Sequence, residues 1–127
     1  MPLYRCTSPQ DALNDAQRSA LARAFTEIHC DLTGAPRTFV HVQFHHRAAQ
    51  AGRASYELHA GIRAGRDRAL ADAIVARCIA AVAGIAQVDP GQISMRTSST
   101  PASWILEGGR VLPEPGDEEA WEAARKP

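Results

Sequence analysis

Two stretches of the chain alternate apolar and polar residues with a period of two. In TFVHVQFHH (38–46), Val40, Val42 and Phe44 fall on one face and His41, Gln43 and His45 on the other. In SYELHAGIR (55–63), Tyr56, Leu58, Ala60 and Ile62 oppose Glu57, His59 and Arg63. Each predicts a strand with one buried face, because successive side chains of a strand point to opposite sides of a sheet. Two other stretches repeat at three and four residues. Leu13, Leu21, Ala24, Phe25, Ile28 and Leu32 share one face of a helix predicted from about Pro9 to Leu32. Ser8-Pro9-Gln10-Asp11 reads as its cap and first turn, and Gly34-Ala35-Pro36 as its stop. Leu70, Ile74, Val75, Cys78, Ile79 and Val82 form the stripe of a second helix, opened by Asp67, running to about Ala83 and ended by Gly84. Residues 2–7 and QISMRTS (92–98) supply two further strands, and RAAQAGRA (47–54) is a polar connector.

The order is strand, helix, strand, repeated once: one βαβ unit over about 2–46, a second over about 55–98, and a loop with a short helix over about 99–127, for which Trp121 is the anchor. The chain therefore predicts a single α+β domain spanning 1–127, with a four-stranded sheet carrying both helices on one face. The other face asks for cover, and in a chain of 127 residues the expected cover is another copy.

Composition narrows the partners. The content is 45% hydrophobic and 22% charged, with net charge zero, so nothing draws the chain to nucleic acid or a membrane surface by bulk attraction. No apolar run reads as a membrane span and no secretory signal is seen at the N-terminus, from which a cytoplasmic location is expected. Cys6, Cys30 and Cys78 lack CxxC spacing and read as reduced core residues. His41 and His45 lie about 13 Å apart along a strand, too far to share an ion, so no metal is expected.

The candidate chemistry begins at Met1-Pro2. Removal of Met1, which a small following residue permits, leaves Pro2 with a secondary amine that titrates near pH ~8; burial or arginines lower its pKa and a carboxylate raises it. Arg63 and Arg66 flank Gly65 at a strand-to-helix junction, where two guanidinium forks can converge on a carboxylate; solvated charge is the plainer reading. Glu107 precedes Gly108-Gly109, which suits either a carboxylate aimed into a site or a surface turn. His29 suits packing or capping as well as catalysis. Trp104 suits a pocket wall or plain burial.

The stretches AFTEIHCDLTG, GIRAGRD and LEGGRVLPEPGDEEAW, together with Pro2 leading the first of two βαβ units, resemble the cis-3-chloroacrylic acid dehalogenase group of the tautomerase superfamily, and the resemblance spans nearly the whole chain. It implies a homotrimer and no cofactor. It assigns Pro2 as the catalytic amine, Arg63, Arg66 and His29 as ligands of a small substrate carboxylate, and Glu107 as the acid that activates water. Arg96 stands where the dehalogenases have a tyrosine that assists the glutamate. An Arg96 in contact with Glu107 would occupy the oxygens that must accept a proton from water. Keto–enol tautomerisation of a 2-oxo acid therefore ranks ahead of hydration or dehalogenation of an unsaturated acid. A trimer that keeps the fold and only binds is the rival from outside enzymology.

Overall fold

The computed structural model describes residues 1–125, without the side chain of Arg125. Strands β1 (Leu3–Ser8), β2 (His41–His46), β3 (Tyr56–Arg63) and β4 (Ile93–Thr100) form one sheet in the order β2-β1-β3-β4, with helices α1 (Asp15–Thr33) and α2 (Arg68–Ala86) between the strands of each unit. β1 runs parallel to β2 and β3 to β4, as a helical crossover requires, whereas β1 and β3 are antiparallel. The two βαβ units thus lie head to tail, and the start of β1 sits beside the end of β3.

The core is the helix-facing side of this sheet. Tyr4, Cys6, Leu58, Ala60 and Ile62 pack against Leu21, Phe25 and Ile28 of α1 and Ile74, Cys78 and Val82 of α2. The alternation in β3 is therefore the burial pattern of one face. The opposite face carries exposed Arg5, His41, Gln43, His45, Ser94, Arg96 and Ser98. It is polar, so any partner that covers it, as expected of another copy, would meet it through polar contacts rather than an apolar core.

Two helix boundaries differ from expectation. Ser8 is the last residue of β1 and its carbonyl accepts the Arg47 N–H at 2.9 Å, so it cannot cap a helix. Asp11 then adopts a left-handed φ of 61°, which stops any helix running from Pro9. The helix begins four residues later, where the Asn14 side chain accepts the Gln17 N–H at 2.8 Å and the Gln17 side chain accepts the Asn14 N–H at 2.9 Å. At the other end of the crossover pair, α2 runs through Gly84 to Ala86 and is closed by Gln87. Ile85 and Ala86 pack on the core, and that contact carries the helix past a glycine that costs about 1 kcal/mol. α2 is also the one helix, among the described residues, long and apolar enough by composition to cross a membrane, which corrects the expectation of none. Its stripe Ile74, Cys78 and Val82 is spent inside the domain.

After β4 the chain forms a hairpin of β5 (Leu106–Glu107) and β6 (Arg110–Val111), then helix α3 (Glu118–Arg125). Trp121 fixes α3 to the body. Its ring meets Phe39 edge-on at 5.5 Å, it lies 3.9 Å from the Arg110 guanidinium carbon, and its Nε1 donates to the Val111 carbonyl at 2.7 Å.

Candidate active site

Antiparallel pairing of β1 with β3 brings the N-terminus to the end of β3 that carries Arg63, because Leu3 faces Gly61. Parallel pairing with β2 brings in His41, whose N–H donates to the Pro2 carbonyl at 3.0 Å. Pro2 is fully buried. The terminal amine, on Met1 here, donates to Glu107 Oε2 at 3.1 Å. Its pKa lies below the ordinary 8.0, mainly because burial penalises the charged form; the Glu107 carboxylate opposes that shift and Arg63 adds to it. Glu107 reaches the amine because Gly108 and Gly109, at φ 59° and 79°, make the tight turn that ends β5. Thus EGG is both a turn and the device that aims the carboxylate.

Glu107 has a second partner: His41 Nε2 lies 2.9 Å from its Oε1. From the sequence His41 is weighed only as a metal ligand, and Arg96 as a partner of Glu107 should it reach that carboxylate. Arg96 lies on β4 opposite His59 of β3, exposed, and no bond joins it to Glu107 among the described residues of this chain. His41 takes that place. Nothing near His41 in the sequence points to this, since its partner is 66 residues away.

His29, in the last turns of α1, is buried and lies 2.9 Å through Nδ1 from the Tyr4 hydroxyl. Burial, then the charges of Arg66, Arg63 and the N-terminus, lower its pKa to about 3. It is a neutral imidazole at neutral pH. Tyr4 keeps its proton, since burial pushes its pKa up. With Nδ1 paired to that hydroxyl, Nε2 is the ring nitrogen left for another partner, and His29 serves as a neutral group rather than a cation.

Arg63, expected on the open face with Glu57 and His59, is instead only 3% exposed. The C-terminal segment covers it: Nη1 donates to the Pro113 carbonyl and Nη2 to Glu118 Oε1, both at 2.7 Å, and the guanidinium lies 5.5 Å from the Phe39 ring centre. Glu118 is buried, which alone would raise its pKa, but the hydrogen bond from Arg63 and those from backbone N–H groups hold it below the ordinary carboxylate value. Arg66 is less engaged, donating to the Thr33 carbonyl at 3.3 Å. Gly65, at φ 103°, permits the turn between the two arginines, as its position in GIRAGRD suggested.

A cavity of about 360 Å³ opens beside Glu107, lined by Thr38, Phe39, Gly108, Arg110, Trp121 and Glu122. Trp104 does not wall it; that ring is 75% exposed, because the turn after Pro101 points it away from the body. The predicted Pro2, His29, Arg63, Arg66 and Glu107 therefore gather at one end of the sheet, while Arg96 and Trp104 lie elsewhere on the protomer. Among the described residues, no three of His, Cys, Asp and Glu are grouped as a metal would need.

A family model described as "Putative oxalocrotonate tautomerase enzyme" matches residues 1–126. The chain belongs to this Tautomerase_3 family. Among solved structures it is similar to N1, a member of the cis-3-chloroacrylic acid dehalogenase family, with 29% identity over 99% of this chain and 93% of that one and a TM-score of 0.88. It is 33% identical to native Ps01740, over 84% of this chain and all of that one (100%), with a TM-score of 0.78. The macrophage migration inhibitory factor of Toxoplasma gondii shares the fold at 20% identity and a TM-score of 0.76, over 87% of this chain and 100% of that one. No curated protein matches by sequence. The Tautomerase_3 chain is thus a tautomerase-type enzyme with the β-α-β fold expected from its sequence.

Proposed function

We propose that this member of the family is a cofactor-independent tautomerase of small 2-oxo acids, with the Pro2 amine as its general base and acid once Met1 is removed. The observation that carries the reading is where the N-terminus lies: Pro2 is buried at the end of β3 that carries Arg63, and the Met1 amine one residue before it reaches Glu107 and is shifted below its ordinary pKa by burial. In its neutral form the Pro2 amine takes the proton from an enol hydroxyl; the carbonyl forms as the enol double bond delivers its electrons to carbon, and the ammonium returns the proton there. Arg66, Arg63 and the neutral His29 hold the carboxylate. His41 already engages one oxygen of Glu107, which supports tautomerisation over activation of water.

The likeness to N1 favours a second reading, in which a protonated Pro2 is the acid and Glu107 activates water for hydration or dehalogenation of a cis-3-haloacrylate-like acid. Self-association as a homotrimer belongs to the same proposal. It is supported by the exposed apolar trio Trp104, Leu106 and Val111, the last two being cross-strand partners on the hairpin.

The test is ketonisation of an arylpyruvate enol by protein whose mass shows Met1 absent. Pro2→Ala lowers kcat/KM by at least about a hundredfold. Equal rates for the two proteins, with the fold intact, reject Pro2 as base; carboxylate binding without turnover of enols or unsaturated acids favours a binding protein. Leu106→Asp shifts the oligomer to smaller species in sedimentation; an unchanged state removes the hairpin from the interface.

A further inference from the structure

The guanidinium read as a substrate ligand already holds a carboxylate, and that carboxylate is the chain's own. Glu118 opens α3, gives one oxygen to Arg63 at 2.7 Å and the other to the Gly116 N–H at 2.9 Å. Arg63 is left almost without exposure. We propose that Glu118 is a specificity-determining residue: an incoming acid reaches Arg63 only by displacing the Glu118 carboxylate, and with it α3. The inference rests on the reading of Arg63 as a carboxylate ligand.

The chemistry of the exchange decides which acids succeed. A simple monocarboxylate replaces one carboxylate–guanidinium pair by another of the same kind, while the tethered Glu118 competes at high effective concentration. Such an acid gains nothing by entering. A 2-oxo acid brings a carbonyl as well. Arg66, which spends one long bond on Thr33, is the donor at hand for it, beside the neutral His29. The added bonds give the acid an advantage over Glu118 that a plain carboxylate lacks, and only a differential of that kind moves an equilibrium. The displacement also reaches Trp121, three residues along α3, because Phe39 touches both Arg63 and Trp121. Trp121 is therefore a built-in reporter.

The chain has two tryptophans, so Trp104→Phe leaves Trp121 as the sole one. In that background, 2-oxobutyrate shifts Trp121 emission to the red with saturation and butyrate at equal concentration does not. Adding Glu118→Gln tightens 2-oxobutyrate binding at least tenfold and lets butyrate bind. Glu118→Asp, which keeps the charge but shortens its reach, falls between. If Gln destabilises the fold, the Asp variant alone carries the test. Saturation by 2-oxobutyrate with Trp121 emission unmoved, or Gln and Asp variants that bind no more tightly than their parent, overturns the proposal and leaves Glu118 as a buttress of Arg63. If the enzyme turns over an arylpyruvate enol through Pro2 in that event, only this inference falls. If neither parent nor variants bind 2-oxobutyrate and none turns over, the reading of the site falls with it.

Discussion

Lowering the pH from 7 to 5 tests whether His29 is held neutral. In the unfolded chain its pKa is the ordinary 6.5, while the folded pKa is about 3. Between these values the unfolded state binds the proton and the folded state does not, so stability is present above the unfolded value and is lost as pH falls. At pH 5 the unfolded histidine gains RT ln(1 + 10^1.5), about 2 kcal/mol, and at pH 7 almost nothing. His29 alone therefore costs the fold about 2 kcal/mol over this interval. The carboxylates contribute mainly lower down; Glu57, bound by Arg53 and Arg47, has its pKa lowered to about 2. Urea unfolding, followed by tryptophan fluorescence at fixed protomer concentration and compared with His29→Gln, isolates the effect. Wild type loses about 2 kcal/mol more than the variant between pH 7 and 5. Equal losses would show that His29 protonates freely in the folded protein, and its description as a neutral group beside Tyr4 would be wrong.

Three further outcomes follow from the same geometry. The rise of kcat/KM with pH has its midpoint below 8.0, because loss of the Pro2 amine proton makes the base and Pro2 is buried next to the Met1 amine whose pKa burial already lowers; Glu107→Gln moves the midpoint lower still, and a midpoint above 8.0 refutes the burial argument. His41→Phe frees one oxygen of Glu107 and raises hydration of an unsaturated acid relative to tautomerisation several-fold; an unchanged ratio, measured on one preparation with both substrates, removes His41 from the chemistry. Asn14→Ala removes the side-chain half of the capping box and costs about 1 kcal/mol in urea titration, whereas Ser8→Ala, outside the helix, costs less; the reverse order would restore the boundary read from Ser8-Pro9.

What was legible in the sequence, and what was not, divides by range. The two βαβ units were readable because periods of two and of three to four are local and repeated. Gly65 was readable as a turn for a related reason, since few other residues tolerate its φ of 103°. The start of α1 was misread because two capping patterns stand six residues apart and only the left-handed Asp11 chooses between them. Arg63 was placed on the open face by strict alternation. Its burial comes from Pro113 and Glu118, 50 and 55 residues away, which no local pattern encodes. The gathering of Pro2, His29, Arg63, Arg66 and Glu107 was legible only through the family resemblance. Their convergence depends on β1 and β3 being antiparallel, a choice the strands' own sequences do not reveal.

That antiparallel choice also decides how many reactive ends a protomer can have. The two units run antiparallel to each other, so the place corresponding to the start of β1 recurs at the start of β3, at the opposite end of the same sheet. There the chain runs unbroken through Ser55 into Tyr56, and its nitrogen is an amide. Around that position Arg47 and Arg53 clasp Glu57, a tidy ion pair with no amine to serve. The fold is close to symmetric, but a polypeptide has a single beginning. On the proposed role of Pro2, the first βαβ unit alone can supply the reactive amine, and the second serves as its frame.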